Sequence, residues 1–108
     1  MTNFAENLAT FDDVDHLQAI ELYSHDGEIA ALIENQAGSQ GSLKLYHYLW
    51  EKYGEISVEA AKEGLVLYAE HTEDARQHPG KHPNIDRLQE VIDLGLPLTV
   101  ETIPVGDA

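Results

Sequence analysis

The spacing of apolar residues changes character several times along this chain. Residues 3–11 place Phe4, Leu8 and Phe11 on one side of a short amphipathic helix, which Asp12, Asp13 and Asp15 end. Residues 16–34 alternate instead and predict a β-hairpin. Asp26-Gly27 reads as its two-residue type I′ turn, which requires positive φ at both positions. That turn opposes His25 to Glu28, Tyr23 to Ala30, Leu22 to Ala31 and Ile20 to Ile33. Ile20, Leu22, Ile29, Ala31 and Ile33 then share the face expected to be buried. The other face mixes Glu21, Tyr23 and Glu34 with Ala19, Ala30 and Leu32, and is expected to be only partly covered.

Helical spacing returns after a small polar loop at 35–42. Ser42 is the expected cap of a helix whose apolar face carries Leu45, Tyr46, Leu49, Trp50 and Tyr53, with Gly54 at its end. Ser57 caps the next helix. Val58, Ala61, Leu65, Tyr68 and Thr72 form one stripe, with Ala60, Gly64, Leu67 and His71 beside it. Gly64 costs a helix about 1 kcal/mol relative to Ala, so close packing is expected there. The helix is free to continue to Gln77 before Pro79 and Gly80 stop it. Asn84 is the expected cap of a last helix with Ile85, Leu88, Val91 and Ile92 inward and Gly95 at its end. Residues 98–105 alternate again as a strand, and residues 106–108 are expected to be loose.

The final strand has no partner other than the hairpin. The pattern predicts an α+β fold: a small antiparallel sheet, made of the N-terminal hairpin and the C-terminal strand, packed against about three helices. A chain of 108 residues suits one domain spanning 1–108.

Composition narrows the partners more than it narrows the fold. Hydrophobic residues make up 43%, enough for one modest core, while the formal charge is −14 with only six Lys and Arg. That balance argues against nucleic acid, whose binding depends on cations displacing condensed counterions, and against anionic membrane surfaces. A protein partner or self-association stays open. Tyr23 and Tyr48, off the main apolar stripes, are the residues an exposed patch would use. The absence of cysteine excludes disulfides, zinc–thiolate sites and a cysteine nucleophile. No basic start with an apolar run, and no apolar stretch of about 20 residues, points to export or a membrane helix, so a cytoplasmic location is expected.

Residues 70–86 concentrate the candidate chemistry. Three of the six histidines lie here, with four carboxylates, two fixed cations and the turn-forming Pro79, Gly80 and Pro83. His71 and Asp74 would share a helix face, and such a pair can orient an imidazole. His78 and His82 are four apart, but Pro79 and Gly80 prevent them from acting as ligands on one helical turn. No His-Glu-x-x-His motif is present, and no catalytic residue, metal or cofactor is assigned. The candidate ligand or partner surface comprises His71, Asp74, Arg76, His78, Lys81 and His82. A second candidate, for anions, is the loop carrying Gly38, Ser39, Gly41 and Ser42 at a predicted helix start. Its spacing departs from the phosphate-loop pattern, because Gly41 is followed by Ser42 and not by Lys.

The run Gly38-Ser39-Gln40-Gly41-Ser42, together with Glu70-His71-Thr72 and the stretch from His78 through Asp86, resembles a small family of uncharacterised bacterial proteins, a domain of unknown function. The resemblance spans nearly the whole chain. It implies a bacterial cytoplasmic protein and brings no activity, ligand or catalytic residue. The reading is a small acidic interaction or regulatory protein without catalysis. The alternative is a small enzyme or metal-binding protein using residues 70–86.

Overall fold

The computed structural model describes residues 2–106. In chain order the elements are α1 (Phe4–Leu8), β1 (Leu17–Tyr23), β2 (Ile29–Glu34), α2 (Gln40–Tyr53), α3 (Val58–Leu67), α4 (Glu70–Gln77), α5 (Pro83–Leu94) and β3 (Thr99–Pro104). The strands form one antiparallel sheet in the order β2-β1-β3, so the hairpin and the last strand meet as the apolar pattern requires. The helix α2 packs on β1 and β2, and α3 lies between α2 and α5. Ile20, Leu22 and Ile33 on the sheet meet Leu45, Leu49 and Leu88 from the helices in one core. Among the described residues, no helix is long and apolar enough to cross a membrane. The expectation for residues 107 and 108 lies outside the described residues.

The hairpin register holds at Ile20↔Ile33 and Leu22↔Ala31, then shifts, with Tyr23 opposite Ile29 and not Ala30. The expected two-residue turn is not formed. Gly27 N–H donates to Ser24 O (2.9 Å) and Ser24 N–H to Glu28 O (2.8 Å), closing a loop of His25, Asp26 and Gly27. Gly27 has φ 88°, while Asp26 stays at negative φ. Asp26 keeps that conformation because its carboxylate accepts from the Ser24 hydroxyl and the Glu28 N–H. The extra residue is Ala30, and the bulge puts Ile29 on the face of Tyr23. Ile29 is therefore 58% exposed, against the expectation of burial.

Two expected caps also differ. α2 starts at Gln40, ahead of Ser42, whose hydroxyl instead accepts from Tyr68 OH (2.7 Å). α5 starts at Pro83, a residue suited to the first helical position because its missing N–H has no partner there. Asn84 lies inside that helix. Its carbonyl accepts from Tyr46 OH and its side chain from Arg87 Nη1.

Residues 58–77 form two helices and not one. Asn7 is buried and its Nδ2 donates to Leu67 O (2.8 Å), the acceptor a continuing helix would have given to His71 N–H. The Thr72 hydroxyl takes Leu65 O in the same way. With both acceptors taken, the chain turns at Ala69, which adopts φ 55°. Gly64 fulfils the packing expectation: a Cβ there would lie 2.6 Å from Leu88 Cδ1 and 3.0 Å from Leu49 Cδ1.

Candidate functional site

The break at Ala69 sets α4 at an angle that brings its first turn beside the start of α2. The turn between α4 and α5 closes the third side. A cavity of about 440 Å³ lies where these segments meet, within the range of small-molecule sites. Gly38, Gly41 and Ser42 reach it from the start of α2, and His71, Lys81 and His82 from the other wall. Phe4 and Tyr68, stacked at 5.1 Å between ring centroids, supply its aromatic surface, with His71 edge-on to Phe4 at 5.1 Å. Phe4 is held there because its N–H donates to Glu70 Oε1 (2.9 Å) and an Asn3–Glu6 capping box fixes α1.

Asp74 organises the polar wall from behind. His82 Nε2 lies 2.6 Å from Asp74 Oδ2, and since an ionised carboxylate only accepts, the imidazole donates. Lys81 Nζ sits 3.0 Å from the same oxygen, and His78 Nε2 lies 3.8 Å from Oδ1. The hydrogen bond from His82, then that from Lys81, holds the Asp74 carboxyl down at about 2. Asp86 Oδ2 accepts from Gly80 N–H (3.0 Å) and pins the same turn from the other side. The ring of His71 stands 5.6 Å from that of His82.

The floor is hydroxyl-rich but internally satisfied. Burial pushes the Tyr68 hydroxyl far up, against the opposing effects of Ser42 and the Arg87 charge. Tyr46 is raised as well, chiefly by burial. Both phenols stay protonated and act as donors, Tyr68 to Ser42 and Tyr46 to Asn84 O. Among the described residues, no buried side-chain nitrogen or oxygen lacks a partner, and no group of three or more His, Asp or Glu could hold a metal ion.

A family model described as "Uncharacterized protein conserved in bacteria (DUF2322)" matches residues 4–102. The chain belongs to the DUF2322 family. No curated protein and no solved structure matches it. The matched span begins at Phe4, so it contains every residue of the DUF2322 cavity named above.

The two candidate segments read from the sequence thus border the same space, though not with every residue. His71, Lys81, His82, Gly38, Gly41 and Ser42 line it, and Asp74 backs it. His78 touches Asp74 but faces solvent. Arg76 is directed elsewhere, 3.8 Å from Glu73, and Ser39 donates to Glu34 O. Tyr23 and Tyr48 are half-buried, with their hydroxyls bonded to Glu21 and Glu63. Sequence reading missed Phe4, Tyr68 and Asn84 as cavity residues. The first two looked like ordinary members of apolar stripes, and Asn84 like a cap.

Proposed function

We propose that this DUF2322 protein is a non-catalytic binding protein of the interaction or regulatory type, and that it works through the cavity between α2 and the 78–83 turn. One observation carries the reading. Two segments some thirty residues apart in sequence close on one cavity, and hydrogen bonds hold Tyr68 to Ser42 within its lining and Lys81 and His82 to Asp74 behind it. Such a wall is pre-organised: little side-chain freedom is left to lose when a ligand enters. The mobile elements of catalysis are not assembled in the same way. Ser42 accepts from Tyr68 and has no base bonded to it, and Lys81 is tied to Asp74.

A second reading is favoured by the Asp74–His82 pair, which has the form of an oriented acid–base dyad. One experiment separates the two. Backbone amide spectra are recorded with a small set of neutral, anionic and cationic fragments. Binding without conversion, with the largest shifts at Gly41, Ser42, His71 and His82, is expected. Chemical conversion of a bound fragment, lost in His82→Gln, would move the assignment to an enzyme. Shifts confined to other surfaces would remove the cavity from consideration.

A further inference from the structure

The cavity lining differs in charge from every other concave surface compared with it. The chain carries twenty carboxylates and a formal charge of −14, yet no Asp or Glu lines this cavity. Four other cavities all have them: Glu6, Glu70 and Glu73 in a larger one of about 590 Å³, Asp13 and Asp15 in a second, Asp86 in a third, and Asp12 with Glu51 in a fourth. Resting on the reading above, we propose that the ligand is a small organic anion. Its phosphate or carboxylate group lies against Lys81, and its apolar part lies on Phe4 and on the edges of Tyr68 and Ile85 that reach the cavity.

The chemistry on each wall supports that orientation. The Lys81 ammonium has three donors, and Asp74 engages it from behind the lining, so donors remain for an incoming oxygen. Asp74 holds Lys81 and His82 on one carboxylate oxygen, which fixes the Lys81 ammonium at the cavity edge. The Arg87 guanidinium bonds Asn84 of the lining and is close enough to Tyr68 to lower its hydroxyl, adding positive potential behind the floor. The first turn of α2, at Gly41 and Ser42, adds the partial positive charge of a helix start.

Distance decides whether the acidic remainder defeats this. The Debye length is about 8 Å at physiological ionic strength, so carboxylates on remote surfaces are largely screened. The nearest ones are engaged: Asp74 by Lys81 and His82, and Glu70 by Phe4 N–H. An aromatic or apolar body matches the opposite wall, where Phe4 presents its ring over the buried Tyr68 and Ile85.

The test titrates the full chain with phenyl phosphate, benzoate, inorganic phosphate, benzamide and benzylamine, following backbone amides at low and physiological salt. Phenyl phosphate or benzoate should bind at least about tenfold more tightly than neutral benzamide, as a charge-assisted hydrogen bond implies. Benzylamine should not bind, and affinity should fall as salt rises. The phosphate and carboxylate arms show which oxyanion is preferred, and inorganic phosphate shows whether the apolar part contributes. Lys81→Gln should weaken the anion by about tenfold. Arg76→Gln, on another surface, should leave it unchanged. Lys81 is exposed, so the conclusion does not depend on a variant that threatens the fold. If benzamide binds as well as the anions, or Lys81→Gln changes nothing, the anion assignment is wrong while the cavity reading stands. If no probe shifts the lining residues, both fail.

Discussion

Asp74 and Glu63 each gather several basic or hydroxyl side chains, but they fasten different things. Glu63 receives Tyr48 OH (2.8 Å), Tyr53 OH (2.5 Å) and Lys52 Nζ (2.8 Å), all from α2, so one carboxylate on α3 ties two helices together. Asp74 receives His82 and Lys81 from the turn that follows its helix, with His78 3.8 Å away. The first cluster is a tertiary clamp, and the second shapes a loop against a cavity. Burial works against the charge on Glu63, and the hydrogen bonds from Lys52, Tyr53 and Tyr48 outweigh it, leaving its carboxyl lowered. Tyr48 and Tyr53 are raised by their bonds to Glu63, so the clamp keeps its protons across the neutral range. A carboxylate with several donors is thus no sign of function by itself. What distinguishes Asp74 is that its donors Lys81 and His82 also line a space a ligand can enter.

Substitutions at and between the clusters test that difference. The largest loss should come from Glu63→Ala, which removes three contacts between α2 and α3. Hydrogen bonds to a charged group are worth about 1.5–3 kcal/mol, so a loss of about 2 kcal/mol in chemical denaturation is expected, with ligand shifts unchanged. A loss below a few tenths would remove the clamp from the account.

Gly64→Ala asks whether packing beside that clamp is as tight as its bonds. The added methyl meets Cδ1 of the fully buried Leu88, so that side chain must shift within a packed core. Overpacking costs about 1–3 kcal/mol, against a propensity gain of about 1, so a net loss of about 1 kcal/mol is expected. A stabilised variant would show that α3 and α5 can separate freely.

Ala69→Gly acts at the joint between the two clusters. Relief of a positive φ at a non-glycine residue, offset by the added freedom of the unfolded chain, should raise stability by about 0.5 kcal/mol. A loss comparable to that of Gly64→Ala would contradict the strain.

Asp74→Asn should change global stability least and pH dependence most clearly. The folded-state value of Asp74 lies below the ordinary 3.8, at about 2. Its contribution is therefore fully present above 3.8 and is lost as pH falls through about 2. Wild type should exceed the variant at neutral pH, and the two stability curves should converge in strong acid. Parallel curves down to pH 2 would show that the cluster is not coupled to folding.

Much of the architecture was legible because alternation and helical spacing report which faces are buried. Ile20, Leu22 and Ile33 fall where expected, and so do Ile85, Leu88 and Val91. What escaped were choices made by side-chain hydrogen bonds over long sequence distances. Ala69 looks like good helix, and only Asn7, on another element, explains why the helix stops. Ser42 and Asn84 carry capping chemistry but spend it on Tyr68, Tyr46 and Arg87. Asp26 has the residue type of a type I′ turn and uses its carboxylate to hold another one. The cavity was legible only as two separate candidates, since nothing local joins the glycine loop to the histidines.

The strand order β2-β1-β3 has a consequence for synthesis on the ribosome. The central strand is made early, yet one of its neighbours comes at the far end of the described chain. At about 5–20 residues per second, β1 waits on the order of 4–15 s for β3. During that interval the hairpin presents Val100's future place beside Leu22 as an open edge, to which a second nascent chain could pair. Protease susceptibility of ribosome-stalled chains ending before and after β3 would show the change. Once β3 pairs with β1, this opportunity is taken away from every other molecule.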